Sequence, residues 1–81
     1  MKESDFKRLG TAIRNLKTVE KSLNKVLEHT SKSMETMPCI YNTDAKEQVA
    51  LYVCEMVSKV KAARVYVSDL TNIFIKELKT E

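Results

Sequence analysis

The chain has 81 residues, 43% of them apolar and 31% charged, with one glycine, one proline, two cysteines and no tryptophan. That length suits one small domain, which buries a smaller share of its surface than a larger one does, and a lone glycine excludes the glycine-rich loops that cradle phosphates in nucleotide-processing enzymes. The formal charge of +3 is unevenly spread: residues 1–37 carry eight Lys/Arg against five Asp/Glu, residues 38–81 carry six of each, and the whole excess belongs to the first half.

From the N-terminus, Phe6, Leu9, Ile13, Leu16, Leu23, Leu27, Met34 and Met37 recur three and four apart. Only a helix places them on one face, which predicts a helix over about 4–36. Strict spacing assigns Glu20 and Thr30 to the seam with Val19 and Val26 beside it, whereas a slight rotation of the helix leaves Glu20 at the rim. Gly10 costs about 1 kcal/mol relative to alanine in a helix interior. The segment is therefore either one continuous helix or a short helix capped by Ser4 or Asp5, followed by a longer one opening at Thr11.

Thr36-Met37-Pro38 stops the helix, because proline restricts the residue before it and supplies no backbone donor. A turn over 37–42 follows, and Asn42, Thr43 and Asp44 are all good caps for a second helix, with Glu47 adding a carboxylate to its first turn.

The second helix is expected over about 43–79, with a stripe of Ala45, Val49, Tyr52, Met56, Val60, Ala63, Val67, Leu70, Phe74 and Leu78. Leu51, Val53, Cys54, Val57, Val65, Tyr66, Ile73 and Ile75 lie beside that stripe, so the apolar arc is wider than one partner helix can cover. The β-branched stretch Arg64–Ile75 has a competing reading as two short strands around Ser68-Asp69, but the helical stripe continues through it without slipping. The expected fold class is all-α: one domain, residues 1–81, forming an antiparallel helical hairpin that assembles into a homo-oligomeric bundle. Tyr52, Met56, Val60, Tyr66, Val67, Leu70, Ile73 and Phe74 are the expected oligomer interface.

Cys39 and Cys54 are fifteen residues apart, with no Cys-x-x-Cys pair and His29 the only histidine, so no metal site is expected. Cys54 reads as a small core residue. The polar start Met1-Lys2-Glu3-Ser4-Asp5 lacks the apolar core of a secretion signal, and reduced cysteines in the cytoplasm are the expectation. No apolar run approaches the roughly 20 residues that span a bilayer, so membrane insertion is not expected. No spacing of nucleophile and base is present, which points away from an enzyme and from any cofactor.

Lys7, Arg14, Lys17, Lys21, Lys25 and Lys32 share one face of the first helix, and Lys59, Lys61 and Arg64 cluster on the second. In an antiparallel hairpin turning near residue 40, Lys21 falls near residues 58–62, where the two clusters frame one pocket. The candidate ligand-binding residues are Phe6, Lys17, Lys21, Lys25, Lys61 and Arg64, toward an anion such as a nucleotide, nucleic acid or an acidic partner surface.

Asp5-Phe6-Lys7-Arg8-Leu9, a helix carrying Lys21, a turn and a second long helix together resemble the small helical phage proteins that sequester cyclic oligonucleotide signals of CBASS defence. The resemblance spans about half of the chain. It implies ring-like oligomers with ligand held between protomers by an aromatic residue and a lysine, matched in spacing by Phe6 and Lys21; the family has tyrosine where this chain has Phe6, and Arg64 meets its late basic position with a one-residue slip. The expectation is a non-enzymatic, homo-oligomeric binding protein of the phage accessory type that binds and inhibits a host protein. The alternative is sequestration of a cyclic nucleotide, or nucleic-acid binding, through the basic face.

Overall fold

In the computed structural model residues 2–79 are described, and among them there are helices and no strand. Helix α1 spans Glu3–Ser33, a 3-10 segment spans Met34–Cys39, and helix α2 spans Thr43–Lys79. The stretch Arg64–Ile75 lies inside α2, because the helical face through Val67, Thr71 and Phe74 packs where strands would have none.

α1 runs unbroken through Gly10. It begins before the expected caps: the Lys2 carbonyl accepts the Asp5 and Phe6 N–H groups at 3.0 and 3.2 Å, no side chain caps the end, and Ser4 and Asp5 sit inside the first turn. The carboxylates of Glu3 and Asp5 favour that end through the helix dipole instead.

The α geometry expected to residue 36 gives way at Met34. Pro38 lacks the N–H that would bond the Met34 carbonyl, and its ring crowds that carbonyl. The chain tightens to a 3-10 segment, where Thr36 Oγ1 donates to the Ser33 carbonyl at 2.7 Å and the Ile40 N–H to that of Met37 at 3.0 Å. α2 opens as expected, the Asn42 carboxamide oxygen accepting the Ala45 N–H at 3.0 Å.

The two helices pack along a 3–4 seam. From α1 come Leu9, Ile13, Leu16, Leu23, Leu27, Thr30, Met34 and Met37; from α2 come Ala50, Val53, Val57, Val60, Val67, Thr71, Phe74 and Leu78. These are half-buried or buried, as an antiparallel coiled pair requires. Each seam skips one position, filled by Glu20 on α1 and by Arg64 on α2, and both are exposed. Thr30 and Thr71 are the buried polar residues. Their hydroxyls donate to the carbonyls four residues back, Val26 at 2.7 Å and Val67 at 2.8 Å, so burial leaves neither unsatisfied.

The result is a rod of 61 × 15 × 13 Å with a radius of gyration of 18.6 Å. A compact chain of this length has a radius of about 12 Å. Among the described residues Ile13, at 9% exposure, is the one buried apolar side chain, and none is fully enclosed. The accessible surface is 6517 Å², against roughly 5,000 Å² for a globular chain of this mass. About 1,500 Å² that a folded domain would hide is therefore on the outside.

Candidate functional site

The hairpin has two flanks, and the handedness of the helices sorts residues between them. One step back from the seam turns about 100° around each axis. Because the axes run in opposite directions, those turns carry residues of both helices to the same flank. Stepping back gives Ala12, Val19 and Val26 on α1 and Met56, Ala63 and Leu70 on α2. Tyr52, Tyr66 and Ile73 lie beside the α2 members at helical spacing, and Tyr52 and Tyr66 are 70% and 75% exposed. On α2 this flank is apolar except at Lys59 and Glu77, whereas on α1 Arg8, Asn15, Ser22 and His29 alternate with Ala12, Val19 and Val26.

One step forward from the seam gives Lys17, Asn24 and Ser31 on α1 and Cys54, Lys61 and Ser68 on α2. That opposite flank is mostly polar, although Leu51, Val65 and Ile75 of α2 also lie on it. It holds an open cleft of about 480 Å³ lined by Glu20, Lys61, Arg64, Val65, Ser68 and Asp69. The missing apolar position of each seam thus becomes a place where opposite charges gather. Glu20 of α1 faces Lys61, Arg64 and Asp69 of α2, so the lining carries two cations and two carboxylates, with no excess of positive charge to draw an anion.

The candidate ligand residues are not brought together. Lys61 and Arg64 line the cleft as an antiparallel hairpin requires, but α1 contributes Glu20 there rather than Lys21. Lys17 and Lys21 are exposed on the polar flank and Lys25 on the outer face of α1, and none of them makes an ion pair among the described residues. Farther along, Lys32 approaches Glu28 at 3.5 Å with both side chains largely exposed. Phe6 is fifteen residues from Lys21, about 22 Å along the axis, so one chain cannot close both around one small molecule. A smaller depression near the start of α1, about 360 Å³, is lined by Lys7, Arg8, Thr11, Ala12 and Asn15, without Phe6.

The expected interface residues divide. Tyr52, Met56, Tyr66, Leu70 and Ile73 are exposed on the apolar flank, while Val60, Val67 and Phe74 are half-buried in the seam against α1. Those three serve the hairpin itself. Cys54, read as a core residue, is exposed, because it follows Val53 by one position and turns out of the seam; Cys39 is exposed as well, and both thiols are free. Glu20, marked in the sequence by the gap it leaves in the α1 ladder, and Asp69, which no pattern marked, are cleft residues that were not among the candidate ligand residues.

No described helix is long and apolar enough to cross a membrane, and no three His, Cys, Asp or Glu residues are grouped to hold a metal ion among those described. No protein-family model, curated protein or solved structure matches the chain.

Proposed function

We propose that this is a non-enzymatic helical binding protein that works as a homo-oligomer and whose further partner is another protein. The observation that carries the reading is the exposed area. About 1,500 Å² in excess per chain becomes roughly 3,000 Å² across a pair, which falls in the range of obligate interfaces. A single buried apolar residue also gives an isolated hairpin little to hold it together. The dispersal of its chemistry-bearing side chains supports binding over catalysis. Leu51 and Val65, exposed and lying off the apolar flank, favour a protein partner over a small molecule. Inhibition of a host factor by a phage accessory protein in the cytoplasm is the role this reading takes from the resemblance. Size-exclusion chromatography with light scattering tests it: an oligomer is expected, and a folded monomer at micromolar concentration overturns it.

The unpaired run Lys17, Lys21 and Lys25 favours a second reading, capture of a cyclic nucleotide or nucleic acid on the polar flank and outer face of α1. Backbone phosphate binding weakens steeply with salt through counterion release. Titration with labelled RNA, DNA and a cyclic dinucleotide at two salt concentrations is therefore decisive. Binding that weakens with salt and is abolished by Lys21→Ala supports this reading, and no binding at low salt removes it.

A further inference from the structure

We propose that the apolar flank is covered by the same flank of a second copy of this chain. The two-fold axis passes near Ala63, and the α2 helices lie antiparallel on one another in an up-and-down four-helix bundle. The inference rests on the self-association reading above and names the surface and the geometry.

Area comes first. Seven of the ten exposed large apolar residues of the two helices lie on this flank, Phe6, Leu51 and Val65 lying off it, and the stripe from Tyr52 to Ile73 runs about 32 Å along α2, so its cover is a partner face at least that long. A second copy supplies a face of that length and the same apolar character.

The stripe is also complementary to itself. Tyr52, Met56, Lys59, Ala63, Tyr66, Leu70 and Ile73 follow one another at spacings of four and three. Reversed about Ala63 the series falls back on itself to within one residue, about 1.5 Å of rise, setting Met56 opposite Leu70 of the second copy, with Tyr52 near Ile73 and Lys59 near Tyr66. Such a surface makes an isologous contact. The smallest side chain of the series stands at the crossing, where close approach of two helices needs it. Lys59, the one charged member, meets a tyrosine ring, which an ammonium group can cover with its stem and head. Parallel pairing of the same stripe in register sets Lys59 against Lys59. The lysine run of α1 lies on the polar flank and the outer face, away from the apolar flank, and remains on the outside of the bundle.

Two other features carry less. The cleft at Glu20 and Arg64 is balanced in charge and open, and the lysine run is an exposed helix face of like charges with no enclosing geometry.

The test uses the full chain with Cys39→Ser and Cys54→Ser, to which Ala63→Cys or Ser68→Cys is added. Light scattering is expected to give a dimer. Under a mild oxidant Ala63→Cys is expected to yield a covalent dimer, its two sulfurs meeting at the axis, while Ser68→Cys on the opposite flank stays unlinked. Tyr66→Glu, at a position three-quarters exposed in the hairpin, is expected to weaken dimerisation roughly a hundredfold. A dimer that links through Ser68→Cys but not Ala63→Cys overturns this geometry and leaves self-association standing. A dimer indifferent to Tyr66→Glu does the same. A monomer at every concentration overturns both.

Discussion

α1 and α2 are similar in length and share one seam, yet they stand differently toward water. On α1 the exposed large apolar residues are Phe6, Val19 and Val26, none above 43% exposure. On α2 there are seven, from Leu51 to Ile73, reaching 75% at Tyr66. A narrow stripe finds all the cover it needs in one neighbour, whereas a broad one does not. The lysine excess follows the same division, for it lies on the helix whose outer face stays wet. Hairpin formation therefore covers most of the α1 stripe, Val19 and Val26 excepted, and leaves α2 half-finished.

The largest effects set the seam against the flank. Ile13→Ala removes the one buried apolar side chain among the described residues and is expected to cost about 3 kcal/mol at any protein concentration. Leu70→Ala should cost about 2 kcal/mol where the flank is covered and below 0.5 kcal/mol where it is open. Urea melts across a wide range of protein concentration separate the cases, because only the cost of a covered residue depends on association. A Leu70→Ala cost that stays near zero throughout breaks the contrast between the helices.

Much of this was readable from residues alone. Pro38 and the Asn42 cap act locally, so the turn and the start of α2 follow from the chain's own covalent and hydrogen-bonding rules. The narrow α1 ladder allows one seam. On α2 the sequence offers two overlapping runs, one through Tyr52 and Met56 and one through Val53 and Val57, both at 3–4 spacing. Only the approach of α1 selects Val53 and Val57, and that selection is a tertiary fact. The same step turns Cys54 outward. Lys21 does not join Lys61 and Arg64 in one cleft for a related reason: lysines on one helix face share a direction, but the seam decides whether that direction meets the other helix.

A middle-sized effect tests how the seam keeps its register. Glu20 and Arg64 fill the one charged position of each ladder and line one cleft with Lys61. Glu20→Lys gathers three cations there, and a loss of about 1 kcal/mol is expected, shrinking as salt is added. Pairing it with Arg64→Glu should restore most of that loss, and a double variant no better than the single one removes charge from the account of register.

The smallest expected effect concerns Gly10 and sharpens the comparison of the two flanks. Its backbone does not adopt the left-handed conformation that favours glycine, and a Cβ built there meets no atom within 4 Å. Gly10→Ala therefore gains by restricting the unfolded chain and strains nothing in the hairpin, for about 0.5–1 kcal/mol of added stability. Gly10 lies one step forward of Leu9 in the seam, on the polar flank and away from Tyr52, Tyr66 and Leu70. A second copy on the apolar flank leaves that space open, and the gain should persist in the assembled protein with an unchanged denaturant slope. A partner on the polar flank fills it, and the new methyl group then collides with a neighbour. A gain at low concentration that disappears as the protein associates places the interface on the wrong side of the hairpin for the Ala63 axis.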